Sequence, residues 1–474
     1  MIREKLRILV FSAFVLGACA NGLATERPNV IFMLSDDQGW NGLSVPMHPS
    51  VAESRGQWFH TPNIERLALR GMRFSQAYSP APVCSPTRIS LQTGKSPAQL
   101  HWTKAAPAVE GMRLLEPRLI KNIADDEVTI GELLRAQGYT TAHFGKWHIA
   151  GGGPGRHGYD VHDGDTGNEN AFKFEDPNPV DIFGMAERAE QVMTQAKQSG
   201  KPFFIQLSWN ALHAYQNASK ASVEKYKKLM PDADEKQMYT AALTEDLDQG
   251  VGRVMDAVDR LGLADTTYVI YMSDNGSGGG RKGALRGGKG GVWEGGIRVP
   301  LIIQGPGVAE NSWSSVPVVG YDFFATFCDW AGVPADSIPN NVEGGSIREV
   351  LTHEGKGTVK RKFPGLVFHF PHYQSEGPQS SILVGDLKLV HTYEDDQWML
   401  FDLSKDLAER QDLSKKMPRE TQEMRGQLQQ YLTTVRAQLP TVNPNFDPNA
   451  KPSEGATKGK RGGNKAGQQK GKGK

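Results

Sequence analysis

The chain has 474 residues, 38% of them hydrophobic and 23% charged, which fits a soluble globular protein of one large and one small unit and excludes a fibrous or wholly disordered chain. Its net charge of +1 is unevenly spread: Lys451–Lys474 carries +7 and residues 1–24 carry +2, leaving −8 on residues 25–450. An acidic body argues against a nucleic-acid substrate, because such binding rests on neutralising phosphates.

Residues 1–24 read as an export signal. Arg3, Lys5 and Arg7 precede the short apolar run "ILVFSAFVLGA", and small residues follow at Ala18, Ala20 and Ala24. Leu16–Cys19 ("LGAC") also resembles a lipoprotein cleavage box, which would place lipid on Cys19. The protein is therefore expected outside the cytoplasm, in the periplasm or beyond, with no stable membrane span.

The mature chain opens with "NVIFMLSDDQGW" (Asn29–Trp40), apolar on both faces as a covered central strand should be. A helix ending at Gly138 leads into the strand "TTAHFGKWH". A helix near Ala186–Gln198, the strand "PFFIQLSW", a helix over Tyr239–Leu261 and the strand "TYVIYMSDNG" repeat the alternation, which means an α/β sheet. After about Leu351 come short alternating strands, "GLVFHFPHY", "SSILVGDLKLVH" and "WMLFDL", then a helix near Pro418–Gln438. The organisation read from this is a signal at 1–24, a catalytic domain at 25–355, a small α+β unit at 356–445, and a Gly/Lys-rich tail at 446–474 too polar to fold.

One regularity points to function. Asp36, Asp37, Lys146, His148, His213, Asp274 and Asn275 all follow the C-terminal ends of predicted strands, the edge where open α/β sheets bind ligands. "SDD" and "SDNG" offer three carboxylates and an amide oxygen, a hard-ligand set suited to Ca²⁺ or Mg²⁺, though such sequences are also ordinary turns. Cations at Arg88, Lys146 and Lys289, the last in the glycine-dense "LRGGKGGVWEGGIRVP", complete a pocket for an anionic oxyester with acid/base groups beside it. Residue chemistry alone leaves phosphoryl and sulfuryl transfer both open.

Cys84 stands between prolines in "PVCSPTRISLQTG", where a disulfide to Cys328 is the plain alternative. "CSPTR" resembles the C-x-P-x-R signature of type I sulfatases, and "GYTTAHFGKWH", "VGRVMDAVDRLGLADTTYVIYMSDNG", "WEGGIRVPLII" and "VEGGSIREVL" extend the similarity over residues 27–440. The resemblance implies an alkaline-phosphatase-like fold: a mainly parallel central sheet flanked by helices, plus a small C-terminal antiparallel sheet and helix. It implies that Cys84 is oxidised to formylglycine by a formylglycine-generating or anaerobic sulfatase-maturing enzyme, with Pro86 and Arg88 recognised in the process. Asp36, Asp37, Asp274, Asn275 and the modified Cys84 would hold Ca²⁺, less readily Mg²⁺. Arg88 and Lys146 would support the aldehyde hydrate, Lys289 would hold the sulfate, His148 would act as base, and His213 would face the leaving oxygen. The chain departs from the family pattern at Gln92, at Phe144 and in "HAYQ" after His213, which bears on pocket shape.

The expected substrate is a sulfated carbohydrate. The loop Gly151–Asn170, with His157 and Asp163, would read its hydroxyls, and "HFPHYQ" (His369–Gln374) would close the pocket from the small unit. The rivals are a phosphomonoester or phosphonate hydrolase of the same fold and a catalytically silent carbohydrate-binding relative.

Overall fold

The computed structural model describes residues 27–213, 217–277 and 284–449. The export segment, Cys19 and most of the lysine-rich tail therefore lie outside the described residues, as do the residues directly after His213.

An eight-stranded sheet forms the centre. Its strands in chain order are β1 (Asn29–Ser35), β2 (Met72–Phe74), β3 (Thr140–Gly145), β4 (Val161–His162), β5 (Phe203–Ser208), β6 (Thr267–Ser273), β7 (Leu301–Gln304) and β8 (Ser312–Ser314). Across the sheet they run β8-β2-β7-β6-β1-β5-β3-β4. β6, β1, β5, β3 and β4 pair in parallel, and β7 lies antiparallel to both of its neighbours. The expected mainly parallel sheet is present, with one reversed strand that the sequence pattern did not announce.

β1 shows why its apolar run had to be continuous. Ile31 and Met33 face one core, packed with helices α1 (Pro62–Leu69), α3 (Ile182–Ser199) and α4 (Glu235–Arg260). Val30, Phe32 and Leu34 face the other, with α2 (Cys84–Thr93) and α5 (Asp322–Ala331). A strand covered by helices on both sides can expose no alternating polar face. The expected helices appear with slightly different bounds, α3 starting at Ile182 and α4 at Glu235.

The C-terminal part forms an antiparallel sheet, β9 (Leu366–Phe370), β10 (Gln379–Val384), β11 (Leu387–Thr392) and β12 (Gln397–Asp402), backed by α6 (Pro418–Thr434). One face of it shares a core with Val292, Trp293 and Ile297 from the glycine-dense segment. Beside that core, Lys388 of β11 is fully buried between Glu294 and Glu409, 2.8 Å from each, and Arg298 closes the group onto Glu294.

Candidate active site

Four strand ends meet at one edge. Backbone bonds lock them together: the Asp36 N–H donates to Ala211 O, Lys146 N–H to Ser208 O, and Asp274 N–H to Ser35 O, at 2.8–3.0 Å. β3 can turn out of the sheet here only because residue 145 is glycine. Its φ is +82°, and a Cβ would lie 2.3 Å from Ser208 O. The glycines around Lys289 serve the same end: a Cβ on Gly276 would sit 2.0 Å from Gly295 O, so the Lys289 turn lies directly on the end of β6.

Cys84 is the first residue of α2, which the proline-rich sequence around it did not reveal as a helix start. Its Sγ donates to Asp36 Oδ1 at 3.2 Å and lies 3.8 Å from Asp37 Oδ1 and 3.4 Å from Lys289 Nζ. Arg88, one turn later on the same helix, reaches Asp274 Oδ2 at 2.8 Å and the Lys146 carbonyl at 2.6 Å. Lys146 Nζ lies 2.5 Å from Asp36 Oδ2, and Lys289 Nζ 2.6 Å from Asp37 Oδ1. Asn275 donates to Asp37 Oδ1 at 2.8 Å. Cys84 and Cys328 are both free and buried, so the disulfide alternative is set aside.

Burial divides these groups. Asp36, Asp37, Cys84, Arg88, Lys146, Asp274 and Asn275 are buried, whereas His148, His213 and Lys289 are partly exposed. The floor is thus a closed charge cluster, and the mouth consists of two imidazoles and one ammonium.

Burial pushes the His148 ring down to about 3, with Lys146 and Arg88 adding to it, so His148 is neutral. His213 is also lowered, by burial foremost. Burial works against ionisation of Asp36, yet Lys146, His213, Arg88 and Lys289 hold it well below the usual carboxylate range. Asp274 goes the other way, up to about 6, because burial and the Asp36 charge outweigh Arg88 and Lys146. Burial, then Asp274 and Asp36, push the Cys84 thiol well up.

This crowding makes a group that could hold a cation. Ligand atoms of Asp36, Asp37, Cys84 and Asp274 all lie within 4.8 Å of one another, and the buried Asn275 Oδ1 has no hydrogen-bond partner among the described residues. An acceptor orphaned beside three clustered carboxylates fits a hard divalent ion.

Two features at the site escaped sequence reading. The Ser85 hydroxyl lies 3.1 Å from His148 Nδ1 and orients the ring. Thr166 fixes the backbone beneath it, accepting from the Trp147 N–H at 3.0 Å through Oγ1 and from the His148 N–H at 2.8 Å through its carbonyl. His148 has a φ of +58° and Asp37 of +61°, left-handed conformations that non-glycine residues adopt only when their surroundings enforce them.

Several expectations need correction. His157 does not reach the mouth: it is 2% exposed, stacks on Trp147 and pairs with Gly151 O. Asp163 accepts from the Gly145 N–H at 2.7 Å and from Arg188 at 2.9 Å, so its carboxylate anchors the loop instead of presenting itself to a sugar. Gln92 and Phe144 do not shape the pocket either. Gln92 belongs to a buried network with Gln206 and Tyr159, and Phe144 packs in the core under Arg188. Of "HFPHYQ", His369 and His372 are buried in hydrogen bonds to Ser380, Glu116 and Thr103. Only its far end approaches the site, where the neighbouring Ser375 hydroxyl bonds the Lys289 carbonyl.

Residues 28–333 match the family described as Sulfatase, and residues 288–438 match N-sulphoglucosamine sulphohydrolase, C-terminal. The chain belongs to the sulfatase family. It is a sulfuric ester hydrolase. It is 30% identical to a sulfatase of Formosa agariphila, over 83% of this chain and 86% of that one. It is 29% identical to arylsulfatase A of Homo sapiens (76% and 74%) and 30% identical to N-acetylgalactosamine-6-sulfatase of Rattus norvegicus (72% and 68%). The fold matches the solved structure of Ps i-CgsB in complex with k-i-k-neocarrahexaose with a TM-score of 0.71 at 22% identity, covering 86% of this chain and 93% of that one. It also matches PsFucS1 sulfatase from Pseudoalteromonas sp. with a TM-score of 0.66 at 21% identity, covering 90% and 92%. Among the described residues no helix is long and apolar enough to cross a membrane.

Proposed function

We propose that this sulfatase removes sulfate from a sulfated carbohydrate, using Cys84 matured to formylglycine and a divalent cation. The observation that carries this reading is the nesting of Cys84 Sγ between Asp36 and Lys289, below a mouth built of His148, His213 and Lys289. Asp36, Asp37, Asp274 and Asn275 would hold the cation, together with residue 84. A site built from protein oxygens suits Ca²⁺ better than Mg²⁺, which keeps several of its waters. When bound, the cation offsets the charge of the sulfate and of the carboxylates around it.

A buried thiol between carboxylates is held protonated and makes a poor nucleophile. In the formylglycine form, residue 84 would supply one hydrate hydroxyl as nucleophile and a second to release sulfate and restore the aldehyde. The other groups act around it. Arg88 and Lys146 bring positive charge to the base of the site, and Lys289 meets the sulfate oxygens at the mouth. As the first hydroxyl attacks sulfur its proton goes to the leaving oxygen, which His213 hydrogen-bonds; His148 then takes the proton of the second hydroxyl as the C–O bond to sulfate breaks and the aldehyde re-forms.

The carbohydrate reading draws on relatives named for N-acetylgalactosamine 6-sulfate and on the neocarrahexaose complex of the same fold. It also accords with an export signal that would bring the enzyme to polymeric sugars.

The test combines three measurements on enzyme produced in a host with maturation machinery. Mass spectrometry of the tryptic peptide Phe74–Arg88 is expected to show an aldehyde in place of the Cys84 thiol. Asp274→Ala is expected to lose bound metal in elemental analysis and to lose turnover. Matched 4-nitrophenyl sulfate and phosphate should be turned over in favour of the sulfate, and sulfated sugars in favour over a sulfated steroid. An unmodified thiol in fully active enzyme would overturn the nucleophile, and preference for the phosphate would favour the phosphoesterase rival.

A further inference from the structure

A cleft of about 1270 Å³ opens on the surface without containing any residue of the catalytic cluster. We infer that it is a second carbohydrate-binding site, one that holds a sulfated glycan chain while Cys84 acts on another part of it. The inference rests on the carbohydrate reading above and adds a place where the rest of the polymer is held.

Size comes first. Small-molecule pockets run to about 300–1,000 Å³. A larger, open cleft fits several sugar units of a chain better than one free sulfate or monosaccharide.

The chemistry of the walls agrees. Trp58 is 53% exposed and makes no ring stacking or cation–π contact among the described residues. An indole left in water offers a flat apolar face for a sugar ring and an N–H for a hydroxyl. Arg55, Lys236 and Arg410 also line the cleft, all exposed, and their side chains make no ion pair or hydrogen bond among the described residues. Of the three acids in the cleft, Glu53 is exposed and the other two are held in backbone hydrogen bonds. Asp234 accepts from the Gln237 N–H at 2.8 Å as the cap of α4, and Asp406 accepts the backbone N–H groups of Arg410 and Gln411 at 2.7 Å. Three uncommitted cations beside a bare indole suit a ligand that alternates sugar rings with sulfate groups.

Position makes the cleft useful to the reaction. Asn41 on one wall lies four residues after Asp37, and Ala284 on another lies five before Lys289, so its walls continue the loops that carry the catalytic groups. The start of α4 contributes Lys236. That helix leads into β6 through a short connection, so its N-terminus lies at the same sheet edge as Asp274. A chain lying in the cleft therefore shares an edge with the catalytic mouth.

The experiment uses the full-length enzyme, with Trp58→Ala and the triple variant Arg55→Ala/Lys236→Ala/Arg410→Ala. Affinity gel electrophoresis through κ-carrageenan or chondroitin sulfate reads binding, and 4-nitrophenyl sulfate reads the catalytic centre separately. The wild type is expected to be retarded by a sulfated polymer and not by unsulfated dextran. The triple variant should lose roughly tenfold in apparent affinity at low salt, less at high salt, as three exposed ion pairs would. Trp58→Ala should weaken retention similarly, and kcat/KM for the aryl sulfate should stay within about twofold of wild type. Unchanged retention in both variants, no retention of the wild type, or equal retention by double-stranded DNA would each overturn the inference. Failure of the enzyme to desulfate any sugar while these binding differences persist would count against the carbohydrate reading of the catalytic site alone.

Discussion

Replacing Ser85 by alanine removes one hydrogen bond from the site and leaves every charge in place. The Ser85 hydroxyl lies 3.1 Å from His148 Nδ1, and the His148 backbone is already fixed by Thr166. What the substitution frees is therefore the rotation of the ring. A neutral hydrogen bond of this kind contributes about 0.5–1.5 kcal/mol net. At 1.36 kcal/mol per tenfold in rate, kcat for an aryl sulfate should fall by roughly 2–13-fold. KM should move little, because Lys289 at the mouth is untouched. Ser85 also lies inside the maturation sequence, so formylglycine content must be measured by mass spectrometry and rates expressed per modified enzyme. The decisive assay is a double-mutant cycle with His148→Ala. If Ser85 acts by orienting His148, Ser85→Ala costs nothing further once the ring is gone. An equal loss in both backgrounds would refute the reasoning and assign Ser85 to the helix or to maturation.

Lys388→Ala should destabilise the protein by about 3–5 kcal/mol in urea unfolding, because it strands buried Glu409 without a cation and leaves Glu294 with Arg298 alone. Since Glu294 follows the Lys289 turn, the same variant should raise KM for sulfate esters more than it lowers kcat. Folding stability should fall as the pH drops from about 6.5 towards 4. Burial holds His369 down at about 4, so the unfolded chain takes up protons in that window before the folded one does, a difference of about 3 kcal/mol when complete. Comparing urea midpoints at pH 7 and pH 5 tests this, and His369→Gln should lessen the dependence, the remainder coming from His143 and His148, both held at about 3 by burial.

The residues at the strand ends could be found from sequence because β-strands buried on both faces must be apolar throughout. A run such as "NVIFMLS" therefore marks its own end where Asp36 begins, and the same holds for Asp274 after β6. Side chains whose role depends on what packs against them were not legible. His157 and Asp163 sit in a polar loop that reads like a sugar site, yet one is buried on Trp147 and the other is held by Arg188, partners distant from any local pattern. Ser85 faces His148 across 63 positions, and Trp58 shares a cleft with Arg410 across more than 350. Local sequence fixes which residues leave the ends of strands, since backbone periodicity and burial act over a few residues. Which side chains then meet is decided by the tertiary packing, because contacts and desolvation depend on the whole chain at once.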